Sequence, residues 1–195
     1  MKGSWLRHPV EEARRVDLAL YRAVTKTRRP ALDAALSRLS RAADYSRLSI
    51  GAAVVLALAG GPAGRRAAGR GMVSVVVTAS VVNLAFKPIM RRRRPGRFSG
   101  ARPLIGMPKS RSFPSGHTAA AFAFATGAKR ALPSASPPLY ALAALVGYSR
   151  IHTGVHYPFD VVTGALCGTA LAGLTNAPID RATGLDQGAG AGTAR

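Results

Sequence analysis

Three short strings follow one another in this chain: Lys87-x6-Arg94-Pro95, Pro114-Ser115-Gly116-His117 and Ser149-Arg150-x5-His156-x3-Asp160. Between them they supply lysine and arginine cations, two imidazoles and a carboxylate. Those are the parts needed to hold a phosphate, attack its phosphorus and protonate the oxygen that leaves. His156 and Asp160 stand four apart at the start of an apolar run, where Pro158 suits the first helical turn. At that spacing the carboxylate can fix one imidazole tautomer and leave the other nitrogen as a nucleophile. An isolated His-x3-Asp reads better as a helix-capping pair; Arg150, six residues upstream, tips the balance towards chemistry. Ser115 can cap the next apolar helix, Gly116 lets the backbone come close to a ligand, and free amides at a helix start favour an anion. His117 would then stand beside that anion as a general acid, although Pro-Ser-Gly alone is an ordinary turn. Lys87 ends an apolar run, where lysine commonly snorkels to headgroups, and its spacing to Arg94 raises the phosphate-binding alternative. The register is less secure here, because Arg91, Arg92 and Arg93 precede Arg94; Pro95 selects Arg94.

These parts need elements to position them. The chain has 195 residues, one domain's worth, with 48% hydrophobic but only 6% aromatic residues. Abundant alanine and glycine point to closely packed helices within a bilayer. Five apolar segments occur, at 48–61, 71–90, 117–128, 139–148 and 159–174. The expected fold is therefore all-α: an integral membrane helical bundle with about five spanning helices. Several segments are shorter than the roughly 20 residues a span needs, which keeps a soluble helical core open on length alone. Residues 9–47 read as basic amphipathic helices lying on the membrane surface, broken at Arg28-Arg29-Pro30. The division expected is an interfacial segment at 1–47, a core at 48–177 and a flexible tail at 178–195.

With 28 Lys+Arg against 8 Asp+Glu, the net charge of +20 calls for a polyanionic partner. The apolar segments favour anionic lipid headgroups, met by the N-terminal segment and the loop 91–111, over nucleic acid. A nucleic-acid-binding protein would leave His117, His156 and Asp160 without a purpose, and a catalytically silent basic scaffold is the other rival. Cys167 is the single cysteine and sits in an apolar run, so packing is its expected role. No metal or other cofactor is expected, since the four histidines and few acids are not spaced as ligand clusters. His152 and His8 receive no catalytic role, and oligomeric state is not legible.

The three strings together resemble the signature of the type 2 phosphatidic acid phosphatase superfamily, K-x6-RP, PSGH and SR-x5-H-x3-D, matched at every signature position over residues 87–160. The resemblance implies a helical bundle and metal-independent phosphate ester hydrolysis through a phosphohistidine. It implies His156 as nucleophile, Asp160 as its orienter, and His117 as the acid that later activates water. Lys87, Arg94, Ser115, Gly116 and Arg150 are implied as the groups holding the phosphoryl oxygens. The apolar segments match the membrane branch rather than the soluble haloperoxidases and acid phosphatases.

Alternating direction through five spans puts both motif-bearing loops on one side. Eleven Lys/Arg in residues 1–47, nine in 87–111 and Arg150 share that side, against seven on the other. The positive-inside rule then predicts a cytoplasmic active site in the cell membrane. The Arg/Ala/Gly-heavy composition resembles small actinobacterial members, which makes decaprenylphosphoryl-5-phosphoribose, an arabinan precursor for the cell wall, the expected substrate. The motifs are common to the superfamily, so polyprenyl pyrophosphate, phosphatidic acid and phosphatidylglycerophosphate stand as alternatives.

Overall fold

The computed structural model describes residues 4–96 and 102–183. Every regular element in it is helical. Helix α1 (Ser4–Lys26) and α2 (Pro30–Ala42) are separated at the Arg28-Arg29 break, with Pro30 opening α2, where its missing N–H costs nothing. A turn at Asp44–Ser46 bends the chain by 67° into α3 (Arg47–Ala59). Helix α4 (Gly61–Ile89) passes through a π-helical turn at Val82–Phe86. After the arginine loop come α5 (Gly116–Lys129), α6 (Ser136–His152) and α7 (Pro158–Ala182).

Each apolar segment of the sequence thus becomes a helix, but the expectation of about five spans is not met. Among the described residues, two helices, α4 and α7, are long and apolar enough to cross a membrane, or three if the bent α2–α3 pair is one span. The physical reason is length. At about 1.5 Å per residue, the 14-residue α5 reaches only about 21 Å, short of a hydrocarbon core of about 30 Å. Helix α7 also continues to Ala182, past residue 178 where the tail was expected to begin. Asp180 in this extension is buried against Arg70, with Arg130 at 3.3 Å, so the helix gains a charge partner from α4. The rest of the expected tail, 184–195, lies outside the described residues.

The bundle is polar and small inside and apolar outside. Ser49, Ser74, Thr78, Thr118 and Asn176 are buried, while Val55, Leu58, Leu84, Leu166 and Leu174 are each more than 60% exposed. That inversion fits a surface solvated by lipid rather than water. Helix α5 sits centrally, and glycines let its backbone meet its neighbours. A Cβ at Gly168 would lie 2.1 Å from the Ala119 carbonyl oxygen, and one at Gly164 would lie 2.5 Å from that of Ser115. The second contact bears on function, because it sets the distance between the Pro114–His117 turn and the start of α7.

The N-terminal helices fold over the end of the bundle where the motifs emerge. Tyr21 of α1 packs its ring against Tyr157 at 5.5 Å. The Arg28 guanidinium donates to the carbonyl oxygens of His152 (3.0 Å) and Arg102 (2.6 Å). His152, assigned no role from sequence, is fully buried, with Nε2 2.7 Å from Asp33 Oδ1, and so ties α6 to α2.

Candidate active site

The π-helical turn ends at Lys87. The Lys87 ammonium donates to Asn83 Oδ1 (2.8 Å) and Ser110 Oγ (3.3 Å) and hangs over Gly116, 3.4 Å from where a Cβ would stand. The backbone then runs without regular structure through the arginines, and burial alternates. Arg91 and Arg93 are exposed, whereas Arg92 and Arg94 are partly buried, as expected where alternate side chains point to opposite sides. Arg94 donates from Nε to the Ser110 carbonyl, from Nη1 to the Val155 carbonyl, and from Nη2 to Ser110 Oγ. Its Nη1 also lies 2.8 Å from His156 Nε2.

This last contact fixes a tautomer. A guanidinium can only donate, so His156 Nε2 is the acceptor and carries the lone pair, and the ring proton is on Nδ1. Nδ1 faces Asp160 Oδ2 at 3.4 Å, within ion-pair range but long for a hydrogen bond. Burial, with Arg94 and Arg150 adding to it against the opposing pull of Asp160, pushes the imidazole down to about 3, so it is neutral at physiological pH. Burial and the nearby Arg150 lower the Arg94 guanidinium to about 10, which leaves it a cation there.

Arg150 is fully buried at the end of α6. Its Nη1 donates to Ser40 Oγ (2.8 Å) and approaches Asp44 Oδ1 (3.5 Å), while Nε and Nη2 have no hydrogen-bond partner among the described residues. Unpaired buried donors on a cation are costly and mark a place for an anion. The Arg150 carbonyl accepts the amides of Val155 (3.1 Å) and His156 (3.2 Å), which is why the two residues need that spacing. Gly154 completes this turn at φ 82°, a conformation that suits glycine.

Ser115 is the residue preceding α5, but its hydroxyl does not cap the helix. Its Oγ pairs instead with Thr118 Oγ1 at 2.9 Å. The Ser115 amide donates to the Asp160 carbonyl at 2.9 Å, joining the turn to α7. His117, one residue into α5, places Nε2 2.8 Å from Asp44 Oδ1. Asp160 is fully buried, with Oδ1 accepting from Arg92 Nη1 (2.7 Å) and Oδ2 from the Tyr157 amide (2.9 Å) and the Ser112 hydroxyl.

The eight residues singled out from sequence are therefore linked at one end of the bundle. Lys87 joins Arg94 through Ser110; Arg94 joins His156; Ser115 and Asp160 share a backbone bond; His117 and Arg150 share Asp44. Sequence reasoning missed Asp17, Asp44, Arg92 and Ser110. Arg92 bridges Asp160 to Asp17 of α1, and Asp17 also accepts the Phe159 amide at 2.9 Å. The scarcity of acids was the available signal: in a chain with 8 Asp+Glu against 28 Lys+Arg, each aspartate inside a basic amphipathic helix wants an explanation. A separate cavity of about 1140 Å³ lies between α1, Met90–Arg93 and the first turns of α7. Among the described residues, no three His, Cys, Asp or Glu side chains gather as a metal-ion cluster would require.

The chain is similar to several known proteins. An undecaprenyl-diphosphatase of Sulfolobus acidocaldarius is 35% identical over 109 residues, 53% of this chain and 52% of that protein. A lipid A 1-phosphatase of Rhizobium johnstonii is 34% identical over 107 residues, 52% of this chain and 43% of that protein. The chain thus spans about half the length of the curated relatives it matches. The crystal structure of Aquifex aeolicus LpxE superposes with a TM-score of 0.66 at 27% identity, covering 81% of this chain and 93% of that one. A transmembrane phosphatidylglycerolphosphate phosphatase from Bacillus subtilis shares the fold, at TM-score 0.63 and 23% identity, over 90% of this chain and 87% of that one. The PAP2 superfamily model matches residues 68–182, more than half of the sequence and the whole of the motif-bearing region, and the chain belongs to the PAP2 superfamily.

Proposed function

We propose that this protein is a membrane lipid phosphatase that hydrolyses a phosphomonoester of a lipid-linked substrate through a phosphohistidine on His156. The observation that carries the reading is the neutral, buried His156, its Nε2 lone pair turned to Arg94 and its Nδ1 to Asp160. An arriving phosphate competes for Arg94 and for the two unpaired donors of Arg150, and so releases Nε2 towards phosphorus. Lys87, the Ser115 hydroxyl and the Gly116 amide complete the anion cradle. His117 gives its proton to the departing oxygen and then takes one from the water that cleaves the N–P bond. The five-coordinate phosphorus is stabilised by fixed cations, which makes the reaction metal-independent and sensitive to vanadate.

The lipid-linked substrate proposed is decaprenylphosphoryl-5-phosphoribose, with the active site facing the cytoplasm from the cell membrane. The excess of Lys/Arg on the motif side supports this orientation. The exposed Arg14, Arg15 and Lys26 of α1, with Arg91, Arg93 and Arg111, are placed to meet anionic headgroups on that side. A polyprenyl pyrophosphate is the second reading, favoured by the relative that is an undecaprenyl-diphosphatase.

Purified protein in excess chelator, assayed on polyprenyl-phosphoryl-phosphoribose, polyprenyl pyrophosphate and phosphatidic acid, ranks these substrates. Rapid quenching with a labelled substrate should leave label on the wild type that survives alkali and is lost in acid, as a phosphoramidate requires. His156→Ala should lose both label and turnover while leaving fold and membrane insertion intact. Turnover surviving in that variant refutes the nucleophile assignment.

A further inference from the structure

The acid histidine has a carboxylate partner that no sequence motif contains. Asp44, in the turn between α2 and α3, lies 73 residues from His117 yet places Oδ1 2.8 Å from its Nε2. The same oxygen is 3.5 Å from Arg150 Nη1. The turn that delivers it is conformationally expensive: Tyr45 and Ser46, neither a glycine, both take left-handed backbone, at φ 55° and 57°. Two such residues in succession are uncommon, and strain of this kind persists where surrounding structure demands it.

The electrostatics give Asp44 work to do. The charged groups facing His117 are Lys87 from α4, Arg150 from α6 and Asp44 from the α2–α3 turn. Burial, Arg150 and Lys87 lower the imidazole to about 4, and Asp44, the single negative charge among the three, opposes them and favours the proton. A general acid must hold that proton before the reaction begins. Beside the pair runs a cleft of about 170 Å³ lined by Ala43, Tyr45, Asn83, Lys87, His117 and Ala120. It opens between the turn, α4 and α5, beside His117.

We infer that Asp44 is the positioning carboxylate of a second His–Asp pair, which orients His117 and favours its protonated form for the leaving oxygen. The inference rests on the phosphatase reading above. In the first step the His156 Nε2 lone pair forms the N–P bond, and the P–O bond to the leaving group breaks with its electron pair going to oxygen. Asp44 engages Nε2 of His117, so the proton given to that oxygen comes from Nδ1. In the second step water attacks phosphorus, its proton passes to His117, and the N–P electrons return to His156. Asp44 stabilises the imidazolium before the first step and after the second.

The test compares leaving groups. An alkyl phosphate monoester departs as a basic alkoxide and needs the acid, whereas p-nitrophenyl phosphate departs as a weakly basic phenolate and needs it far less. Because kcat/KM reports events only through the first irreversible step, it isolates phosphoryl transfer to His156 from the later water attack. Asp44→Asn should lose at least ten times more kcat/KM on the alkyl substrate than on the aryl one. The alkaline limb of its alkyl-phosphate profile should move to lower pH by about 1–2 units, as removal of a neighbouring opposite charge does. Asp44→Glu, which keeps the charge, should recover much of the alkyl activity. Equal losses on the two substrates, an unmoved alkaline limb, or a gain in kcat/KM on both substrates as from unblocking an anion site, overturns the inference. A wild type without phosphatase activity, or His117→Ala with undiminished alkyl turnover, overturns instead the reading it rests on.

Discussion

Removing Arg92 tests whether the N-terminal helix is part of the catalytic machinery's support. The guanidinium bridges two carboxylates, with Nη1 2.7 Å from Asp160 Oδ1 and Nη2 on Asp17 Oδ2, while its plane covers the Tyr157 ring at 4.3 Å. Asp160 and Asp17 are 0% and 1% exposed, whereas the arginine side chain is 29% exposed. Breaking a buried ion pair from one side costs about 3–5 kcal/mol, because the remaining charge is left without compensation. Two features reduce that here. Water can enter where the exposed arginine stood, and Asp160 retains the Tyr157 amide and the Ser112 hydroxyl. Arg92→Met should therefore cost about 2–3 kcal/mol. For a protein of this size that is a fall in Tm of roughly 5–10 °C. Asp17→Asn alone should cost about 1–2 kcal/mol, through one lost charge-assisted bond. In the double variant Asp17 no longer leaves a buried charge, so the combined cost should fall short of the sum by about 1–2 kcal/mol. Thermal unfolding in detergent, followed by tryptophan emission or light scattering, measures all three variants against wild type. Costs that simply add would refute the bridge, and with it the idea that α1 orients Asp160.

Two further predictions concern titration and packing. Because the folded His156 has its pKa lowered to about 3 from an ordinary 6.5, the unfolded chain binds a proton at this site as pH falls below about 6.5 while the folded protein does not. Stability from this group is therefore whole above about 6.5 and lost progressively towards pH 3, at up to about 1.4 kcal/mol per unit; His156→Gln should flatten the measured Tm–pH curve over that window, and parallel curves would contradict the buried neutral histidine. Gly168→Ala should cost about 1–3 kcal/mol, since its Cβ would meet the Ala119 carbonyl oxygen at 2.1 Å. Gly173→Ala, on the same helix with nothing within 4 Å, should be neutral or gain up to about 1 kcal/mol from helix propensity. Equal effects at the two glycines would refute the close α5–α7 approach.

What the sequence disclosed about the site, and what it hid, divides by distance along the chain. The relations of His156 to Asp160, of Arg150 to His156, and of Ser115 to His117 lie within a few residues. Turn and helix geometry therefore places them whatever the rest of the fold does. The choice of Arg94 among four arginines rested on Pro95, and the alternating burial of Arg92 and Arg94 gives that choice a structural counterpart. The same alternation shows what the choice concealed: the discarded Arg92 reaches Asp160 from the other side of the extended segment. Asp17 and Asp44 were out of reach of any local argument, since their partners are 75 and 73 residues away.

The fold was legible in kind and less so in dimension. Apolar runs, the Arg28-Arg29-Pro30 break and Gly60-Gly61-Pro62 marked the helices, because each break removes a helical hydrogen bond or a favoured backbone angle. The short apolar runs already signalled helices too short to cross alone, but hydropathy could not say that α1 and α2 turn back over the site rather than lie apart from it. That outcome depends on polar contacts between distant helices: Asp17 on the Phe159 amide, Asp33 on His152, Ser40 on Arg150 and Asp44 on His117. All four come from the segment that composition marks as membrane-surface binding. An amphipathic helix with a uniformly cationic polar face would serve that purpose without acids. Three aspartates spaced along α1, α2 and the turn after them instead face inward, each spending a scarce negative charge on the motif residues or their supports. The N-terminal segment is thus a structural layer of the active site as much as a basic surface, and the charge pattern that suggests lipid also carries the evidence for this second role.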